Sequence, residues 1–244
     1  MLTFQFFGVP MRIHLSFLLV AFFGLGLFEG WELVPWTLGV LIAVLLHESG
    51  HAFTARAFGA SSVTVTAFAL GGYTTWRPTR PLGPGSRFLI SAAGSAFGIA
   101  FGLPIWIIDR QGALNGLPTY LDIGLWAFMF AALIWGVLNW IPILPLDGGH
   151  MTESLLEMVW PSQASQIAKS ISVVVGGSLI LLAFLFEQYF LALFLGFIVL
   201  TGLRSEPSLA GPPTQPASSD GPERVEEDQS PDQARPVEPP EFPI

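Results

Sequence analysis

Long apolar stretches, separated by shorter polar segments, cover most of the chain. They occupy residues 13–28, 33–58, 88–108, 123–141, 167–186 and 189–203. A helix needs about 20 residues to cross the hydrocarbon of a bilayer, and the four stretches from 33 to 186 are long enough by themselves. The first could be extended at either end. Only Glu187 and Gln188 separate the last two, and since one helix through both would greatly exceed a bilayer, we expect a tight hairpin.

A different periodicity separates the second and third apolar stretches. Residues 61–76 place Val63, Val65 and Ala67 in alternation with threonines, which predicts a β-strand, as a hairpin or a re-entrant ribbon. Gly71 and Gly72 would supply its bend or allow another backbone to approach closely. The predicted fold class is therefore an all-α polytopic membrane protein of about six transmembrane helices, with this small β-element between helices 2 and 3.

Composition agrees with a membrane protein. Of the 244 residues, 52% are hydrophobic and 11% are charged, which is too apolar for an ordinary soluble domain of this length. Cysteine is absent, so any metal would have to be held by histidine, carboxylate or carbonyl groups. We expect the lipid bilayer as a partner, and no nucleic acid.

The end of the chain has a separate character. Residues 204–244 hold nine acids, three arginines and ten of the twenty prolines, a composition that predicts disorder. We therefore divide the chain into a membrane core, 1–203, and an acidic proline-rich tail, 204–244. A solvated tail is the simpler interpretation, and a regulatory or docking role is the alternative.

The basic residues predict an orientation. If the N-terminus is cytoplasmic and all six stretches cross, one basic residue, Arg110, falls outside. Up to residue 204 the cytoplasmic side then receives seven, as the positive-inside rule requires: Arg12, Arg56, Arg77, Arg80, Arg87, Lys169 and Arg204. We expect an integral protein of a bacterial or archaeal cytoplasmic membrane with both termini cytoplasmic. No convincing cleavable signal peptide precedes the first stretch.

The second apolar stretch contains the ionisable sequence HESGH. His47 and His51 are four residues apart, so on a helix they share one face and their rings can converge on one metal ion. Glu48 can reach a water on that ion, as in the H-E-x-x-H arrangement of zinc hydrolases. The alternative is that the three side chains only hydrogen-bond within a helix bundle. Ionisable residues inside a membrane span are costly, which favours a functional role.

A catalytic zinc site typically has three protein ligands, so a third must lie elsewhere. On the expected topology, Asp147 follows the fourth helix in the sequence NWIPILPLDGGH and returns to the membrane depth of His51. Gly148 and Gly149 would let the backbone turn so that the carboxylate faces inward. We predict Asp147 as the third ligand.

Together, HESGH and NWIPILPLDGGH resemble the site-2 protease family of intramembrane zinc metalloproteases, peptidase family M50. The second motif of that family reads N-x-x-P-x-x-x-L-D-G. The residues that match it are Asn139, Pro142, Leu146, Asp147 and Gly148. The resemblance extends from residue 1 to about 203 and includes the glycine-ended strand between helices 2 and 3.

The resemblance implies a six-helix zinc endopeptidase that cleaves a transmembrane segment of another protein. One Zn²⁺ per chain would be held by His47, His51 and Asp147, with Glu48 as general base. Asn139 would assist near the substrate or the oxyanion, or form only a helix-terminal hydrogen bond. Relatives carry Gly-Pro and then asparagine in the third helix, whereas this chain has AAGSAFG.

Two histidines remain outside the predicted ligand set. His14 is expected at the membrane interface, with a gate contact as the alternative, and His150 is expected to support Asp147 from behind. The strand at 62–72 is expected to act as a template for an unwound substrate. The rival function is a metal-binding membrane scaffold or transporter without hydrolysis, which gives no reason for Glu48, and a catalytically dead relative is a further alternative.

Overall fold

The computed structural model describes residues 1–69 and 71–204. The predicted tail, apart from Arg204, lies outside this part of the chain. Eight α-helical segments occur in the described residues. They are α1 (Ala21–Gly24), α2 (Leu33–Ala57), α3 (Pro84–Arg110), α4 (Thr119–Met129), α5 (Gly136–Leu138), α6 (Asp147–Val159), α7 (Ala164–Leu185) and α8 (Tyr189–Arg204).

Within the described residues, four helical stretches are long and apolar enough to cross a membrane, which makes the chain a membrane protein. They are Gly30–Ala57, Pro84–Arg110, Thr119–Leu138 and Ala164–Leu185, and they coincide with the four predicted stretches between residues 33 and 186. The first and last predicted spans are not confirmed, because their helices, Leu15–Gly24 and Tyr189–Arg204, are shorter. At about 1.5 Å per residue, even the longer of the two falls short of a bilayer core of about 30 Å.

The third span changes its helical form before it reaches the candidate site. After α4, a π-helical segment covers Phe130–Trp135 and leads into α5. Wider helical turns of this kind are frequent near functional sites. The loop 139–146 follows, and α6 then begins at Asp147. This helix is absent from the sequence prediction, which foresaw only a turn at the two glycines.

The predicted hairpin is present as part of a larger sheet. Its strands are β3 (Ala60–Phe68) and β4 (Gly71–Pro78), paired antiparallel. The N-terminal strands β1 (Leu2–Phe6) and β2 (Val9–Ile13), which the prediction missed, extend it into a four-stranded sheet in the order β1-β2-β3-β4. β2 pairs parallel to β3, and β2 accounts for the shortened first helix because the chain is still extended at Ile13.

This sheet order corrects the expected substrate template at 62–72. Most of that stretch belongs to β3, which pairs with β4 on one side and, at residues 65–67, with β2 on the other. Where a strand is paired on both sides, it has no free backbone groups to offer a third strand. Within the described residues, the outer strand of this hairpin is β4.

Helix α2 is the centre of the bundle, because close backbone contacts join it to its neighbours. A Cβ on Gly50 would lie 2.8 Å from the carbonyl carbon of Ala93 on α3. A Cβ on Gly39 would lie 2.8 Å from the Cβ of Ala127 on α4. Small residues at helix contacts allow such approaches in membrane proteins. The sheet covers a further side of α2, where Ala52 packs with buried residues of β2 and β3.

Candidate metal centre

The two histidines of HESGH face the same point from successive turns of α2. The Nε2 atoms of His47 and His51 are 3.1 Å apart. The Nδ1 atom of His51 lies 2.7 Å from the carbonyl oxygen of Ile90 on α3. Since a carbonyl only accepts, this Nδ1 carries the proton, and Nε2 keeps a lone pair for a metal ion.

Asp147, the first residue of α6, completes the cluster. Its Oδ2 lies 3.0 Å from Nε2 of His47, and its Oδ1 lies 3.3 Å from Nε2 of His51. Despite that proximity, Oδ2 is buried and receives no hydrogen bond of acceptable geometry. Ligands about 2.0–2.1 Å from a tetrahedral zinc ion lie about 3.3 Å from one another. Two imidazole nitrogens and an unsatisfied carboxylate oxygen at this spacing fit a zinc ion.

The glycines after Asp147 are required for close packing, and this corrects the predicted turn. Neither Gly148 nor Gly149 has a positive φ. A Cβ on Gly148 would overlap the Trp140 carbonyl group, and one on Gly149 would lie 2.6 Å from the Leu144 nitrogen. The first turn of α6 therefore lies directly on the loop 139–146, which positions Asp147.

Glu48 points into the same cluster and is held there by β4. Its carboxylate oxygen and the ligand nitrogens of His47 and His51 all lie within 4.8 Å of one another, and the residue is 6% exposed. The Thr74 hydroxyl lies 2.7 Å from Oε2 of Glu48 and 3.1 Å from its backbone oxygen. A Cβ on Gly72 would lie 2.6 Å from Cγ of Glu48. The sequence predicted a bend or the approach of another backbone at the paired glycines, whereas at Gly72 the approaching group is the Glu48 side chain.

Two residues that sequence reasoning missed touch this cluster. Thr74 is one, and Gly94 of α3 is the other, since a Cβ there would lie 2.7 Å from Nε2 of His47 and overlap the ring of His51. The small residues of the third stretch were a usable signal for Gly94. The glycine is needed because α3 approaches the imidazole rings directly.

Asn139 lies at the edge of the cluster. It follows α5, and its Nδ2 atom is 3.3 Å from Nε2 of His47. Its backbone oxygen accepts a hydrogen bond of 2.6 Å from the N–H of Gly148. The residue thus joins the end of the third span to the helix that carries Asp147.

The remaining two histidines have other neighbours. The Nδ1 atom of His150 lies 4.0 Å from Oε2 of Glu153 on the same helix. Burial lowers the pKa of His150 below its ordinary value, against the opposing charge of Glu153. The Nδ1 atom of His14 caps the short helix after β2 by accepting a hydrogen bond from the N–H of Ser16. This capping contact supports a structural role for His14.

This site combines H-E-x-x-H on one helix with a carboxylate from a second helix. That combination is typical of zinc metallohydrolases. The family model described as peptidase family M50 matches residues 35–113 and 118–183, which is more than half of the chain. The chain belongs to peptidase family M50.

Individual relatives agree with this assignment. A putative zinc metalloprotease of Synechocystis is 32% identical over 178 residues, covering 66% of this chain and 44% of the relative. A zinc metalloprotease of Methanocaldococcus jannaschii is 25% identical over 181 residues, covering 70% and 51% respectively. The chain thus spans about half the length of these curated relatives.

The solved structure of a site-2 protease from Methanocaldococcus jannaschii has a similar fold. The TM-score is 0.59 at 22% sequence identity, and the match covers 84% of this chain and 96% of that one. The membrane fold of the two chains is therefore shared.

Proposed function

We propose that this chain is an intramembrane zinc endopeptidase, which hydrolyses a peptide bond within or near the transmembrane segment of another membrane protein. The observation that carries the proposal is the convergence of His47, His51 and Asp147 beside Glu48. Three ligands leave one position of a tetrahedral ion open, as catalytic zinc sites do. A scaffold or transporter would need the ligands but not the neighbouring carboxylate.

The proposed ligands are Nε2 of His47, Nε2 of His51 and the carboxylate of Asp147, for one Zn²⁺ per chain. When bound, zinc would lower the pKa of water and polarise the scissile carbonyl group. Glu48 then accepts the proton of the attacking water and returns it to the departing amine nitrogen. The hydrogen bond from Thr74 holds the Glu48 carboxylate in a fixed direction while it does so.

Asn139 is proposed to act on the substrate side of the cluster. Its amide nitrogen is a donor close to the His47 ring, where it can bind the carbonyl oxygen that becomes negative during attack. His150 is proposed to support Asp147 only indirectly. Its neighbour is Glu153 on α6, so it would act through the position of that helix.

The substrate must present an extended segment, because an intact helix occupies its own carbonyl oxygens with hydrogen bonds. We propose that the unwound segment adds to the outer edge of β4 as a further strand. β4 also carries Gly72 and Thr74, which contact Glu48. A segment bound along β4 would therefore lie beside the general base.

We further propose that the protein lies in a bacterial or archaeal cytoplasmic membrane with both termini in the cytoplasm. This orientation requires the two shorter apolar stretches to cross the membrane as well. With six crossings the two ends lie on one side, and the distribution of basic residues favours the cytoplasm as that side. The division into a core, 1–203, and a tail, 204–244, stays a prediction.

The test compares wild type with Glu48→Gln, which keeps the size and hydrogen bonding of the side chain but accepts no proton. Both proteins are expressed with a panel of single-span membrane substrates, and zinc content and cleavage are measured. We expect the variant to retain zinc and to lose activity by about 100-fold to 10,000-fold. Equal cleavage by both proteins would refute the mechanism, and cleavage by neither would favour the scaffold.

A further inference from the structure

The loop that leads to Asp147 is bonded to α7 through Leu144. The backbone N–H of Leu144 donates a hydrogen bond of 2.9 Å to the hydroxyl of Ser172. That hydroxyl in turn donates to the carbonyl oxygen of Ala168, also at 2.9 Å. Ser172 is 1% exposed, so neither bond has water as a ready substitute.

Helix α8 contacts the same part of the loop. A Cβ on Gly202 would overlap the carbonyl group of Leu144 and would lie 2.9 Å from the nitrogen of Pro145. Gly196, on the same helix, would meet nothing within 4 Å. The absence of a side chain at 202 therefore allows backbone contact with the loop, whereas position 196 has room for one.

The two helices also pack against each other next to this contact. A Cβ on Gly176 of α7 would overlap Val199 of α8 and would lie 3.7 Å from Cδ1 of Ile143. Ile143 is fully buried, and Val199 is 8% exposed. The helical pair thus encloses the second half of the loop with main-chain and apolar contacts.

We propose that Ser172 and Gly202 are positioning residues for the metal centre, which fix the loop so that Asp147 meets His47 and His51. The proposal rests on the proposed ligand role of Asp147. The N–H of Leu146 donates to the oxygen of Ile143 at 2.8 Å, so residues 143–146 form a hydrogen-bonded turn directly before Asp147. Displacement at Leu144 is then passed to Asp147.

The contact at Gly202 assigns a structural role to helix α8. It lies beyond residue 183, where the match to the family model ends, and it is too short to count among the four candidate spans. Its role is to contact the loop 139–146 and restrict its position. Metal–ligand distances are met within about 0.2 Å, whereas a Cβ at Gly202 would require a larger shift of the loop or the helix.

The experiment measures zinc affinity of the full-length chain in detergent, by competition with a chromophoric chelator. Gly202→Ala is compared with Gly196→Ala, and Ser172→Ala with Ser178→Ala. Ser178 is exposed and bonds to its own helix at Val174, so it controls for the loss of a helical serine. We expect Gly202→Ala and Ser172→Ala to weaken zinc binding by about 10-fold to 100-fold, and both controls to stay within about twofold of wild type.

A second comparison establishes that the effect passes through Asp147. Gly202→Ala is combined with Asp147→Ala, and we expect it to leave the residual affinity of that variant unchanged. Wild-type affinity in Gly202→Ala, or an equal loss with and without Asp147, would overturn the proposal. If Gly202→Ala fails to fold, Ser172→Ala is compared with and without Asp147→Ala, and the same outcomes apply. Wild-type affinity in Asp147→Ala would overturn the positioning role of Ser172 and Gly202 together with the ligand role of Asp147. A wild type that binds zinc without cleavage would contradict only the protease function.

Discussion

Thr74 on β4 donates a hydrogen bond to the carboxylate of Glu48 on α2, with Oγ1 2.7 Å from Oε2. Gly72, two residues earlier on the strand, brings the backbone of β4 against the same side chain. The sheet therefore contacts the proposed general base directly, while the proposed metal ligands are supplied by helices. The orientation of Glu48 and the binding of zinc can be changed separately.

Thr74→Val is expected to lower kcat by about 10-fold to 100-fold, because a buried hydrogen bond to a charged group is typically worth about 1.5–3 kcal/mol. Zinc content and KM should change little, since Thr74 is not among the ligands. Steady-state cleavage of a membrane substrate and metal analysis check both statements.

The controls lie at the same position and beside it on the strand. Thr74→Ser keeps the hydroxyl and should restore most of the activity, whereas Thr75→Val alters an exposed neighbour whose hydroxyl makes only a 3.4 Å contact with Thr64. Similar losses in Thr74→Ser and Thr74→Val would point to packing and remove the hydrogen bond from the mechanism.

Purified protein is expected to hold one zinc ion per chain, and alanine at His47, His51 or Asp147 should abolish high-affinity binding because two ligands rarely suffice. Metal analysis after dialysis against a weak chelator gives the occupancy. His14→Ala serves as the control, since that ring caps a helix. Full occupancy in Asp147→Ala would exclude the carboxylate as a ligand.

Sequence alone predicted the four central spans, because their apolar length is a local property. Counting membrane crossings also placed Asp147 at the same membrane depth as His51. In the structure, Oδ1 of Asp147 lies 3.3 Å from Nε2 of His51. The strand β2 was missed although Val9, Met11 and Ile13 alternate, because the same residues border an apolar stretch. Its parallel pairing with β3 joins segments more than fifty residues apart, which no local pattern encodes.

Thr74 shows why the rest of the site could not be predicted. Thr74 and Thr75 are the same residue type on the same strand, and only the packing of β4 on α2 distinguishes the one that meets Glu48. Gly94 is similar, since its contact with the imidazole rings depends on how α3 crosses α2. Local composition indicated tight packing in α3 but not the partner.

Gly94→Ala is expected to weaken zinc binding by about 10-fold or more, because the added Cβ would displace the rings of His47 and His51. Zinc competition titrations of the purified variant measure the change. Gly85→Ala, on the same helix, is the matched control, since a Cβ there would meet only Cε of Met158 at 3.8 Å. Equal zinc affinity in the two variants would mean that α3 shifts to accommodate the added Cβ without displacing the rings of His47 and His51.

Deletion of residues 207–244 is expected to leave the membrane core folded, because that composition has few large apolar residues with which to pack. The thermal stability of full-length and truncated proteins in the same detergent should agree within a degree or two. A loss of several degrees on truncation would mean that the tail docks on the core.

Substrate addition to β4 can be tested by cross-linking, because the chain contains no cysteine. A single cysteine is introduced at Tyr73 or Thr75, both exposed on β4, in a Glu48→Gln background that holds substrate without cleaving it. Each is paired with substrates that carry one cysteine at successive positions near the cut. Because neighbouring residues of a strand point to opposite faces, cross-links should form with every second substrate position. Cysteine at Thr3, on the opposite edge strand β1, is the control; equal cross-linking there, or no alternation at β4, would refute strand addition.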